Sequence, residues 1–107
     1  MIEVFLEDLE PGQIFSSGTV RVEAEEIIGF AGRYDPQLFH LSEATAKNTF
    51  FRGLAASGWH TAALTMKLLV ESDFKPAGGL IGASLEDLRW PRPVRPGDEL
   101  KINVEIL

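Results

Sequence analysis

No cysteine occurs in the 107 residues. Within them, disulfides, thiolate metal sites and a cysteine nucleophile are excluded. Basic residues are also scarce: 10 Lys and Arg stand against 16 Asp and Glu, for a net charge of -6. A general nucleic-acid binder carries a basic face, and this chain lacks the charge to make one. A few local cations could still hold an anionic ligand. The acidic start MIEVFLEDLEPG has neither a positive segment nor an apolar run, so it is not read as a secretory leader. The most apolar stretch, residues 54–70, is interrupted by Ser57, His60, Thr61, Thr65 and Lys67, too polar for a membrane span. No repeat, linker or low-complexity tract is visible. The expectation is a single cytoplasmic domain over residues 1–107, without membrane or nucleic-acid partners.

What is present is a core. Apolar residues make up 45% of the chain, enough for one small folded domain. Pro11-Gly12 marks a turn, and residues 13–22 follow as a strand. Residues 22–30 form a short amphipathic helix, with Glu23, Glu25 and Glu26 at the end where acids suit the dipole. Gly29, Gly32 and Asp35-Pro36 break regularity, since a residue before proline is biased away from helix. Ser42 caps a second short helix over residues 43–47.

Residues 58–71 are the strongest helix. Apolar side chains cover most of its circumference, which predicts burial, while His60, Lys67 and Glu71 fall on one stripe. Pro76, Gly78 and Gly79 end the helical region. Residues 80–90 read as a strand with a bulge near Glu86-Asp87. Residues 95–98 form a turn. Leu100, Ile102, Val104 and Ile106 then alternate with Lys101, Asn103 and Glu105, as in a half-buried strand. Three strands can hardly wrap a long apolar helix, and the last ends on an open edge. The expectation is that a partner subunit completes the layer, or that this chain is a piece of a longer protein.

Two groups of residues could carry chemistry. Asp35 and His40 lie five apart in a proline-constrained loop, where a carboxylate and an imidazole can share one water and divide acid and base roles. Asp before Pro is also an ordinary turn residue. The second group is Ala55-Ala56-Ser57-Gly58-Trp59-His60, small residues leading into the long helix. The first N–H groups of a helix have no internal partner and favour negative charge, so Gly58 could stabilise an enolate-like thioester oxygen. The plainer reading is a Ser N-cap with glycine packed against a sheet. His60 lies inside the helix and is assigned a structural role. His40, His60 and the acids give no metal-site spacing, and no nucleophile elbow, P-loop or dinucleotide fingerprint is present.

The segments Asp35-Pro-Gln-Leu-Phe-His40, Leu-Ser-Glu-Ala-Thr-Ala-Lys47, Gly53-Leu-Ala-Ala-Ser-Gly-Trp-His60 and Trp90-Pro-Arg-Pro-Val-Arg-Pro-Gly-Asp98 together resemble the MaoC-like dehydratase family, which includes the (R)-specific enoyl-CoA hydratases. The likeness covers nearly the whole chain. The family motif is Asp-x-Asn-Pro-x-His. The Asp-to-His spacing matches, but Gln37 and Leu38 stand in place of Asn-Pro and the proline has moved to Pro36. The resemblance implies an α+β hot-dog fold, a long central helix wrapped by a curved antiparallel sheet, dimeric, with the last two strands lacking here. It implies that Asp35 and His40 activate a water that adds to C3 of a trans-2-enoyl thioester, with a proton delivered to C2. The Gly58 N–H would polarise the thioester carbonyl, with Ser57 as a supporting cap. The substrate would be an acyl-CoA or acyl-carrier thioester, and neither cofactor nor metal is called for. An acyl-thioesterase and a non-catalytic acyl-thioester-binding subunit remain as alternatives, because fold alone does not decide reaction.

Overall fold

A computed structural model describes residues 3–107. After a 3-10 turn at Leu6–Asp8, the elements run β1 (Ile14–Ser16), β2 (Val20–Arg21), α1 (Ala24–Tyr34), α2 (Leu38–Leu41), α3 (Glu43–Ala46), α4 (Gly58–Glu71), β3 (Glu99–Leu100) and β4 (Asn103–Glu105).

The expected first strand is split in two. β1 pairs antiparallel with β4, Ile14 opposite Glu105 and Ser16 opposite Asn103, while β2 pairs with β3, Val20 opposite Leu100. Four steps from Ser16 to Val20 face three from Asn103 to Leu100, so one extra residue sits on the first strand, as in a bulge. Ser17 causes the interruption. Its hydroxyl donates to the Gly18 carbonyl at 2.7 Å and accepts from the Ile102 N–H at 2.8 Å, so a side chain takes that N–H while the Ser17 N–H still donates to the Ile102 carbonyl at 3.1 Å. The bulge therefore falls at residues 17–19, not near Glu86-Asp87. The alternation of the last segment survives it: Leu100, Ile102, Val104 and Ile106 are half-buried, and their neighbours are exposed.

α1 starts and ends slightly later than its sequence pattern indicates. Glu25 and Glu26 occupy its first turn and Arg33 its last, both favourable to the helix dipole. Ile27 and Ala31, one turn apart, are fully buried. The helix stops at Asp35, whose N–H still donates to the Ala31 carbonyl at 2.9 Å, because Pro36 follows. Ser42 caps α3 as expected, accepting from the Thr45 N–H.

α4 has the bounds expected of it, but its burial differs. His60 and Leu68 are buried, and Leu64 packs against the core of Val22, Ile27, Leu54 and Ala56 together with Val94 and Leu100. The opposite side is open: Trp59, Met66 and Val70 are exposed, Trp59 to 60%. A helix apolar nearly all round is thus covered along one side by the strands and α1. Of the expected polar stripe, His60 is buried, whereas Lys67 and Glu71 are exposed.

Residues 80–90 correct a sequence expectation outright. They are exposed and form no strand, although Leu80, Ile81, Leu85 and Leu88 have the composition of one. A strand is defined by backbone partners, and among the described residues this segment has none. Asp87 takes a left-handed φ of 60°, which interrupts extended pairing in any case. Wrapping of α4 by sheet is accordingly limited here to the two short ladders.

Candidate active site

Three turns converge on one end of α4. α1 delivers Asp35 at its C-terminus, and α2 carries His40. The buried segment Leu54 to Ser57 runs beneath both, tied by the Ala55 N–H to the Phe39 carbonyl at 3.0 Å and by the Ala56 N–H to the Val94 carbonyl at 2.8 Å. Arg95 braces the preceding turn by donating to the carbonyls of Phe51 and Leu54 at 2.6 and 3.3 Å. Glu43 accepts from the Leu54 N–H at 3.2 Å.

Asp35 and His40 meet. The Asp35 Oδ2 lies 3.3 Å from His40 Nε2, with the imidazole buried and the carboxylate nearly so. The other ring nitrogen, Nδ1, is 2.6 Å from the Ala55 carbonyl oxygen. A carbonyl only accepts, so Nδ1 carries a proton and donates. Nε2 is then an acceptor in the neutral ring and a donor in the charged one. It faces Oδ2 in either state, close enough for the two atoms to share a proton.

Asp35 is held by three groups. Ser57 Oγ donates to Oδ2 at 2.7 Å and Gln37 Nε2 donates to Oδ1 at 2.6 Å, in addition to His40. Burial raises the carboxyl's pKa and is the largest single effect. The bonds from Ser57 and Gln37 and the attraction of His40 together outweigh it, so Asp35 titrates below the ordinary carboxylate range. The group is therefore held as a carboxylate, which accepts hydrogen bonds and does not donate them.

Ser57 does two jobs. It is fully buried and caps α4, its Oγ accepting from the Trp59 N–H at 3.2 Å while donating to Asp35. The cap was legible from sequence. The bond to Asp35, across 22 positions, was not, because only the folded chain brings the two together.

Gly58 opens α4, as expected. The Trp59 N–H is taken by Ser57, whereas the Gly58 N–H donates to no protein group among the described residues. Its carbonyl accepts from Trp90 Nε1 at 3.0 Å. Gly58, Asp35 and His40 line one cavity of about 560 Å³, walled by Phe39, Phe51 and Trp90 among others. Residues that bear a carboxylate, an imidazole and a helix-start N–H without a protein acceptor among the described residues therefore line one space, groups of the kind that can hold a water and polarise a carbonyl. Gln37 and Trp90 are the site residues that sequence reasoning missed. His60 stands apart from the set. It is buried and stacked on Phe30 at 4.8 Å, with Nδ1 unpartnered.

Among the described residues, no group of three or more His, Asp or Glu side chains is arranged to hold a metal ion. No helix among them is long and apolar enough to cross a membrane.

Comparison with known proteins places this chain in a family. Residues 9–107 match the model of the MaoC like domain, and the chain belongs to that family. The solved structure of a MaoC-like dehydratase from Rhodospirillum rubrum superposes with a TM-score of 0.93 at 57% identity, covering 97% of this chain and 70% of that one. The (R)-hydratase PhaJ1 from Pseudomonas aeruginosa gives a TM-score of 0.73 at 30% identity, over 94% of this chain and 63% of that one. The (R)-hydratase from A. caviae involved in PHA biosynthesis gives 0.68 at 31%, over 92% and 73%. An uncharacterized protein, YdeM, from Bacillus subtilis is 35% identical over 95% of this chain and 72% of its own length. The fold is the α+β hot-dog fold of these relatives, with α4 as the central helix.

Proposed function

We propose that this domain adds water to trans-2-enoyl thioesters to give (R)-3-hydroxyacyl thioesters, or removes it in the reverse direction. The observation that carries the reading is the 3.3 Å approach of Asp35 Oδ2 and His40 Nε2 beside a helix start whose Gly58 N–H has no protein acceptor. Family membership and the (R)-hydratase likeness support the same class of reaction.

The chemistry follows from the residue types. A water on the cavity side of the pair, within hydrogen-bond reach of both Oδ2 and Nε2, donates a hydrogen to each and leaves an oxygen lone pair for C3 of the substrate. As the C3–O bond forms, the C2=C3 π electrons move toward the thioester carbonyl, where the Gly58 N–H meets the developing negative charge. The dyad takes one proton from the water, and a proton is delivered to C2. Charge, atoms and electrons then balance with no further reactant. A thioester suits this route because its α-position supports enolate-like charge. The substrate is an acyl thioester of coenzyme A or of an acyl-carrier protein, and the working unit is a homodimer.

The test follows crotonyl-CoA by two signals on one sample: loss of the conjugated enoyl-thioester absorbance, and release of free thiol. Hydration gives the first without the second. Thioester hydrolysis gives thiol at the same rate.

A further inference from the structure

Ser57 and His40 both act on the Oδ2 oxygen of Asp35. The torsion that turns a carboxylate plane is soft, so bonds to one oxygen leave the group free to pivot about it. The second point of attachment is the Gln37 amide, at 2.6 Å from Oδ1. Gln37 is itself fixed at its root, because its backbone N–H donates to the Asp35 carbonyl at 2.8 Å and it stands as the N-cap of α2. Its side chain is exposed, lines the cavity and makes no other hydrogen bond among the described residues. A packing role does not account for it.

We propose that Gln37 is a positioning residue for Asp35: its side-chain amide pins Oδ1 and so keeps Oδ2 turned toward His40 and the cavity. The consequence for chemistry rests on the hydration reading above, but the clamp does not. Among the described residues, the titratable group facing Asp35 is His40, from α2, and the Ser57 hydroxyl faces it from the start of α4. Removing the amide removes one of the bonds that favour the ionised form, so Asp35 must titrate at higher pH. If Asp35 acts as a base, the acid limb of the pH–rate profile moves up with it.

The experiment follows the Asp35 carboxylate by 13C NMR titration in the wild type, Gln37→Leu, Gln37→Glu and Gln37→Asn, with 1H–15N spectra confirming the fold. The expected result is a higher Asp35 midpoint in Gln37→Leu and a still higher one in Gln37→Glu, whose carboxylate repels it. Gln37→Asn falls between wild type and Gln37→Leu. In crotonyl-CoA hydration, kcat falls roughly three- to tenfold in Gln37→Leu with KM little changed, less than a buried charge-assisted bond would give because the amide is exposed. An Asp35 midpoint unchanged in folded Gln37→Leu and Gln37→Glu overturns the proposal. A wild-type protein that does not hydrate crotonyl-CoA overturns the proposed function, while a shifted midpoint still upholds the clamp.

Discussion

The indole of Trp90 lies across the start of α4, its Nε1–H donating to the Gly58 carbonyl at 3.0 Å. Its ring occupies the space a side chain at position 58 would need. A Cβ there would stand 2.8 Å from Cε2 and 3.1 Å from two further ring atoms. Glycine is thus required at the head of this helix by a neighbour 32 positions away. The T-shaped contact of Trp90 with Trp59, at 5.5 Å, extends the same wall of the cavity.

Gly58→Ala should therefore cost about 1–3 kcal/mol of stability, the usual penalty for overpacking a filled space. Trp90→Leu in the same chain should recover most of that loss by vacating the space. The check is chemical denaturation of both single variants and the double variant, and additive losses would show that the two positions do not interact.

His60 gives a second prediction. The imidazole is buried against Phe30 with Nδ1 unpartnered. Burial lowers its pKa, and Glu26 opposes this by attraction. The unfolded chain binds a proton near 6.5, where the folded ring still resists charging. Stability is therefore full above that pH, declines as pH falls through it, and levels off below the folded value. His60→Leu, close in volume, should remove this decline. The measurement is unfolding free energy for both proteins at pH 8 and pH 5. The gain from substitution should be larger at pH 5, and an equal gain at both would refute the assignment.

Assembly is the third. Ile81 is 93% exposed, and Leu85, Phe50, Trp59 and Val70 are exposed as well. Apolar surface left wet costs about 25 cal/mol per Å², large beside the few kcal/mol that hold a small domain together. At micromolar concentration the chain should sediment as a dimer. A monodisperse, cooperatively unfolding monomer would mean that these side chains tolerate water, and the homodimer assignment would fall.

Much of this site was legible in the sequence, for reasons local to the chain. Ser57 followed by Gly58 and a run of apolar residues marks a helix start, and α4 has the expected bounds. Pro36 confines the loop that separates Asp35 from His40, so five positions suffice to bring them together. What the sequence did not disclose depends on partners. The Ser57–Asp35 bond and the Trp90–Gly58 contact join residues far apart in the chain. Gln37 lay in plain view as a departure from the family motif, but the reach of its amide to Oδ1 needed coordinates. Residues 80–90 misled for the opposite reason: β-prone composition describes what a segment tolerates, while a strand exists only where another backbone meets it. The alternation at residues 99–107 was read correctly because one face rests on the core.

The most direct measurement is the rate of crotonyl-CoA hydration in the wild type, Asp35→Asn and His40→Ala, each shown by circular dichroism to be folded. If the two side chains share the reacting water, each substitution should lower kcat/KM by roughly a hundredfold or more, as for removal of a general acid–base group. Thiol release should remain negligible beside loss of enoyl absorbance in the wild type. Near-normal hydration in both variants, or thiol released as fast as absorbance is lost, would contradict the account.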